Sequence, residues 1–256
     1  MNYAGASVDV AIHDGRRATL PGWEQCGFER FDHASAVADW TDDESIAAVH
    51  YPEAEALARE VTGLPYALVA DHVKRNAETD KRRREQEPVR LVHSDFAANY
   101  GDIVRGNYLE VQGRGAAALA RAGLSGDDVT HARRVVMLQL WRNLGAPKMD
   151  LPVAWMDART VSCAEARPFR YTGYVAGAPQ FDALAINAPA TPDQHGWYAF
   201  ESLRVDEVVV FRTYDTELVA VNATHFTPHS AFRDLSVELG NPARFSVELR
   251  VMCFDR

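Results

Sequence analysis

Apolar positions along this chain recur with two different periods, and the change between them falls near the middle. From Pro52 the residues Ala54, Leu57, Ala58 and Val61 return at helical spacing and stop at Gly63. That pattern predicts a surface helix with one face on a core, closed by glycine, and before it Asp42 or Ser45 can cap a short helix. Residues 99–123 read as helical in two pieces, broken at Gly113 and Gly115. Residues 64–69 suit a short buried strand, and residues 88–93 alternate as a second one. Beyond residue 130 the period shortens to two. The stretches 134–141, 151–157, 181–186, 197–202, 208–214, 218–223 and 245–254 all read as strands, separated by Gly, Pro, Asn and Asp.

Helices early and strands late predict a mainly β fold with flanking helices. The double-stranded β-helix, a cupin-like jelly roll whose barrel can enclose a small-molecule site, fits that order. A chain of 256 residues with 47 % hydrophobic content can bury one large core, so a single domain over 1–256 is expected. In that reading a helical and mixed part, 1–125, packs on a jelly-roll core formed by 88–95 and 133–254.

Charge narrows the partners. There are 27 basic and 36 acidic residues, a net charge of −9, which argues against nucleic acid or an anionic membrane surface. The run Asp80-Lys81-Arg82-Arg83-Arg84-Glu85 is flanked by acids and lacks aromatics, so it reads as a solvated loop, with a mobile lid over 76–87 as a further option. No apolar run approaches the roughly 18 residues of a membrane span and no leader pattern opens the chain, so a cytoplasmic protein with a small-molecule substrate is expected. Cys26, Cys163 and Cys253 show no paired spacing and read as buried thiols. Nothing in the sequence fixes the oligomeric state.

Candidate chemistry centres on Val92-His93-Ser94-Asp95 and on Thr227-Pro228-His229-Ser230-Ala231-Phe232. In a strand, side chains two apart share a face, so His93 and Asp95 can reach one point. A second imidazole from His229 would complete two histidines and a carboxylate on one face of Fe(II), the set that leaves three adjacent coordination positions open. His225 and His229 are four apart, but Pro228 breaks a helix there and Phe226 stands where a zinc peptidase needs a glutamate, so that reading is rejected. In the stretch 244–250 the apolar residues Phe245, Val247 and Leu249 alternate with Arg244, Ser246, Glu248 and Arg250. A dicarboxylate that chelates iron at one end needs a cation for its far carboxylate, and arginine beside a hydroxyl suits it. Arg244 with Ser246 is the first choice and Arg250 the competitor. Arg142, where an apolar strand ends, touches a bound acid or forms a structural pair, as Asp157 with Arg159 does. Tyr100, Tyr108, Trp155, Trp197 and Tyr198 suggest a partly apolar pocket.

The motifs DGR, YPE followed by EVTG, DHVKR, VHSD, LWRN, DART, WYAF, DEVVVFRTYDT, PHSAF and RFSVELR, in that order from Asp14 to Arg250, resemble the CmcJ/NvfI-like hydroxylases and desaturases, also called the AsaB or gibberellin-desaturase-like group. The resemblance implies a non-haem Fe(II) and 2-oxoglutarate-dependent oxygenase of natural-product pathways, antibiotic biosynthesis among them. It carries the ligand pattern onto His93, Asp95 and His229. The family's usual WRP reads Trp141-Arg142-Asn143 here, and the threonine common before AF is Ser230. Neither departure touches a ligand. With 2-oxoglutarate and O2 as co-substrates, oxidative decarboxylation to succinate and CO2 would yield an oxidant for hydroxylation, desaturation or oxidative cyclisation. Two rivals remain: an Fe(II) and O2-dependent oxidase whose substrate itself chelates the metal without 2-oxoglutarate, and a jelly-roll binding protein with no turnover.

Overall fold

The computed structural model describes residues 7–76, 88–106, 115–171, 181–235 and 240–256. Its strands, in chain order, are β1 (Ile12–Asp14), β2 (Phe28–Asp32), β3 (Tyr66–Asn76), β4 (His93–Ser94), β5 (Val135–Asn143), β6 (Val153–Met156), β7 (Ala166–Tyr171), β8 (Phe181–Ile186), β9 (Trp197–Ala199), β10 (Glu207–Asp215), β11 (His229–Ala231) and β12 (Phe245–Phe254). They form two sheets, one of order β1-β9-β6-β11-β4-β8-β7 and one of order β2-β10-β5-β12-β3. Among the described residues only the β1–β9 pair is parallel and the other pairs are antiparallel. The jelly-roll expectation is met. Strands β1, β2 and β3, all before residue 88, extend the core beyond the segments assigned to it from the sequence.

Strand parity sorts the five-stranded sheet into two faces. Val136, Leu138 and Leu140 of β5, with Val208 and Val210 of β10 and Val247 and Leu249 of β12, bury against Ala54, Leu57 and Ala58 of the helix Tyr51–Thr62. Those helix residues are the ones whose spacing predicts the element. Its C-cap is Gly63 at φ 67°, a left-handed position that suits glycine. Asp42 caps the preceding turn by accepting from the Glu44 amide, and a π-helical turn, Ile46–His50, joins the two helical pieces. The opposite face meets the seven-stranded sheet. There Trp141, Val209 and Phe211 pack on Val153 and Trp155, and farther along Leu68, Met137 and Met252 pack on Phe96 and Tyr100.

Three sequence expectations are corrected. Residues 218–223 are not a strand: Thr216–Ala220 is a short helix, because the Asp215 side chain accepts from the Glu217 amide and starts a turn ahead of the apolar run. The expected strand over 88–93 shortens to the two residues of β4, although Val89 and Val92 still accept backbone hydrogen bonds from Ala231 and Ile186. Strand β7 escaped notice because Pro168 interrupts its pattern; it lies at the sheet edge, where proline is tolerated. The charge run 80–85, residues 77–87 of the lid suggested over 76–87, and Tyr108 lie outside the described residues, while Asn76 ends strand β3.

Candidate metal centre

Strands β4 and β11 are neighbours, and their register makes His93 and His229 direct partners. Their rings sit with centroids 4.4 Å apart. Strand β11 is also paired to β6 on its other side, His229 against Trp155, so its position is fixed from both edges. Asp95 follows His93 by two residues and returns to the same point. One ligand atom from each of His93, Asp95 and His229 lies within 4.8 Å of the others.

Each imidazole is oriented by backbone two residues upstream. The His93 Nδ1 lies 2.8 Å from the Leu91 carbonyl and the His229 Nδ1 lies 3.2 Å from the Thr227 carbonyl. A carbonyl only accepts, so each Nδ1 carries the proton and each Nε2 keeps its lone pair for the shared centre. Burial, with His93 nearby, pushes His229 down to about 4, which keeps it neutral and able to ligate near pH 7. Asp95 shows the opposite balance. Burial alone would raise its pKa, but the Arg250 guanidinium, then His93 and His229, outweigh it and hold the carboxyl well below the usual carboxylate range. Its Oδ2 accepts from Arg250 Nε at 2.8 Å and from the Gln139 amide, while its Oδ1 lies 3.6 Å from His93 Nε2. Two imidazoles and an ionised carboxylate are a fitting donor set for a divalent first-row metal.

Beside His93, Asp95 and His229 runs a cavity that is open to solvent at its mouth. Trp141, Val153 and Phe211 give it an apolar wall, and Arg75, Arg244 and Glu248 a charged one. Arg244 is buried in that wall; its Nη1 donates to the Leu151 carbonyl at 3.2 Å, and its guanidinium lies 5.9 Å from the Trp141 ring centre. Its Nε has no hydrogen-bond partner among the described residues, and neither does the Ser246 hydroxyl. Buried donors without partners are rare in folded proteins and cost stability unless a ligand satisfies them. Burial, with Arg75 nearby, lowers Arg244 to about 10, so it remains a cation at neutral pH.

Arg250, the competitor for the far carboxylate, has its Nε on Asp95 and is not among the residues that line the cavity. Arg142 is corrected as well. Gln139 and Trp141 line the cavity, so by parity Arg142 points to the other face of β5, where it donates to the carbonyls of His33 and Val205 and contacts His33 Nδ1 at 2.8 Å. Of the aromatics expected at the pocket, Tyr100, Trp155, Trp197 and Tyr198 pack in cores and are not among its lining residues. Asp157 and Arg159 form the structural pair expected of them, at 2.6 Å. Among the lining residues that sequence reasoning missed are Arg75, Gln139, Trp141, Val89, Val153 and Phe211. Gln139 left a signal, as the one polar position within the apolar run 135–141, which turns out to be buried.

The chain is 24 % identical over 215 residues to the Fe(II)/2-oxoglutarate-dependent dioxygenase nvfI of Aspergillus novofumigatus (strain IBT 16806), covering 83 % of this chain and 69 % of that protein. It is 25 % identical over 248 residues to the hydroxylase/desaturase CTB9 of Cercospora beticola, covering 89 % and 70 %. Its fold is similar to the solved structure of the iron and alpha-ketoglutarate-dependent endoperoxidase NvfI, with a TM-score of 0.73, 22 % identity and coverage of 95 % of this chain and 84 % of that one. Among the described residues no helix is long and apolar enough to cross a membrane. Residues 1–254 match the family model described as "YDMC: Oxidoreductase/YMDC permease-like domain", and the chain belongs to that family.

Proposed function

We propose that the protein is an Fe(II)/2-oxoglutarate-dependent oxygenase acting on a small-molecule natural-product intermediate. The observation that carries the proposal is the convergence of His93 Nε2, His229 Nε2 and Asp95 Oδ1, with both Nδ1 atoms already committed to carbonyls. The names of the relatives above support the same chemistry. Bound together, Fe(II) and 2-oxoglutarate supply, with O2, an oxidant strong enough to take hydrogen from an unactivated carbon.

The chain's own part is to hold, orient and exclude water. His93, Asp95 and His229 would hold the metal on one face and leave the other face to ligands. Arg244 and Ser246 would take the distal carboxylate of 2-oxoglutarate: Arg244 lines the cavity, and its Nε and the nearby Ser246 hydroxyl are buried donors without partners among the described residues. Arg75, Arg244 and Arg250 stand against Asp95 and Glu248, so with the imidazoles left out of the count the site carries one excess positive charge in a chain of net −9. That local excess favours a dianionic co-substrate. Val153, Phe211 and Trp141 keep the wall dry. The cytoplasmic setting expected from the sequence stays part of the proposal.

The test is an anaerobic titration of metal-free protein with Fe(II) and then 2-oxoglutarate, watching for the visible charge-transfer band of the chelate. A saturable band absent from His229→Ala is expected, followed by succinate release in air. Iron binding without the band would favour the 2-oxoglutarate-independent oxidase. No iron binding would leave a barrel without turnover.

A further inference from the structure

Gln139 and Arg250 are direct cross-strand partners of β5 and β12. Both project from the five-stranded sheet across the barrel, and both donate to one atom, Asp95 Oδ2, on a residue that follows β4 of the opposite sheet. Asp95 Oδ1 is the oxygen turned to His93 Nε2. We propose that Gln139 and Arg250 act as a positioning clamp, which occupies Oδ2 and presents Asp95 to the metal through Oδ1 alone. The proposal rests on the metal reading above and adds two residues to it.

Three features favour positioning over plain charge neutralisation. Gln139 is neutral, so its amide adds direction and no charge. A carboxylate only accepts, so the amide nitrogen, not the oxygen, must face it. Arg250 engages Oδ2 through Nε, whereas an arginine serving only to neutralise a carboxylate gains most from the two-pronged fork over both oxygens. The clamp is also braced from behind. On the same face of β12, two residues back, Glu248 pairs with Arg75 at 2.7 Å, and its charge bears on Arg250 as well. Positive and negative groups thus alternate from Arg75 through Glu248 and Arg250 to Asp95, all on or against one buried strand face.

Two consequences follow for the metal. A carboxylate restricted to one oxygen occupies a single coordination position and leaves the opposite face free for co-substrate and O2, whereas a chelating one would take a second position. A guanidinium on the far oxygen also withdraws some charge from the ligand, a smaller effect than the gain from holding the carboxylate in a fixed geometry, so the clamp strengthens binding on balance.

The experiment uses the full chain and Co(II) as the probe, reading its dissociation constant and its visible d–d absorption. The variants are Gln139→Met, which keeps volume and charge, Arg250→Met and Arg250→Lys, with His93→Ala as control and urea melts to report folding. Loss of the clamp is expected to weaken Co(II) binding roughly 10- to 100-fold, the range for partners of ligating groups, and to change the d–d band. Arg250→Lys should recover part of both. If Gln139→Met and Arg250→Met fold and keep the wild-type affinity and band, the clamp is overturned while the metal centre stands. Should Arg250→Met fail to fold, Gln139→Met decides alone. If His93→Ala binds Co(II) like the wild type, the metal reading fails and the clamp falls with it.

Discussion

His93 and His229, 136 positions apart in sequence, are directly opposed residues of the antiparallel β4–β11 pair. A slip of one residue in that register would turn His229 to the other face of its sheet, so the metal site and the strand pairing specify each other. Replacing either imidazole removes a ligand without removing backbone pairing. His93→Ala and His229→Ala are each expected to fold, to lose at least ~100-fold in Fe(II) affinity, and to show no 2-oxoglutarate band. Equilibrium dialysis of metal under anaerobic conditions checks this, and tight Fe(II) binding by either variant would remove the assignment.

Arg244 and Arg142 are both buried arginines near the start of β12 and the end of β5, yet they face opposite sides of the five-stranded sheet. They should differ in what they lose. Arg244→Ala takes away a charge-assisted donor for the distal carboxylate, worth about 1.5–3 kcal/mol, and should raise the dissociation constant for 2-oxoglutarate by roughly 10- to 150-fold, besides costing about 1–3 kcal/mol of stability for the Leu151 carbonyl it leaves without a donor. Arg142→Leu leaves the carbonyls of His33 and Val205 without their donor, and should cost about 1–3 kcal/mol per unsatisfied buried group while leaving 2-oxoglutarate affinity within about twofold. Anaerobic binding curves and urea melts on both proteins separate the outcomes. An Arg142→Leu variant that folds normally but loses 2-oxoglutarate would reverse the assignment.

The same contrast explains what the sequence could and could not tell. The alternation of Arg244, Ser246, Glu248 and Arg250 was legible because β12 runs ten residues without interruption. Which member does what was not, because that depends on strands far away in sequence: Glu248 finds Arg75, and Arg250 finds Asp95. Arg142 was misplaced because parity counts from a known inward residue, and nothing local marks Trp141 as one. The grouping of His93, Asp95 and His229 was legible through residue type and spacing, since side chains two apart on an extended segment share a face. The strand expected over 218–223 shows the reverse failure, where an apolar run that suits either state was decided by one capping aspartate, Asp215.

Glu207 ties the N-terminal segment to the barrel. It accepts both prongs of Arg16, at 2.8 and 2.7 Å, one from Arg30 at 2.7 Å, and the Arg204 amide at 2.8 Å. Burial would raise its carboxyl, but the Arg16 and Arg204 bonds outweigh it and bring it from 4.5 down to about 2. A carboxyl depressed in the folded state binds its proton more readily when unfolded. Its contribution is therefore complete above pH ~4.5 and is lost as pH falls toward about 2. That contribution is on the order of 2–3 kcal/mol, reduced somewhat because Arg16 and Arg30 are partly solvated. Glu207→Gln should lower stability at pH 7 and flatten its fall between pH 4.5 and 2, as read from urea midpoints across that range. A parallel, merely displaced pH curve would assign the acid sensitivity to another carboxylate.

Gly27 stands at φ +91°, and a Cβ there would meet the Thr227 hydroxyl, with Ala158 Cβ at 3.1 Å on its other side. Thr227 donates to the Gly27 carbonyl at 2.9 Å, and its own carbonyl is the one that orients His229 Nδ1. A methyl group at position 27 therefore presses on the residue that aims a metal ligand, from a segment outside the sheet that carries it. Gly27→Ala combines left-handed strain of about 1 kcal/mol with overpacking of about 1–3 kcal/mol. It should lower stability by about 2–4 kcal/mol and also weaken Fe(II) binding, because Thr227 must shift to relieve the contact. Trimming the obstructing hydroxyl in Gly27→Ala/Thr227→Ala should return part of the lost stability, which a double-mutant cycle on urea melts would read as a favourable coupling. If the two changes add without coupling and Fe(II) affinity stays at the wild-type value, Gly27 serves only its own turn and the link from that turn to His229 does not exist.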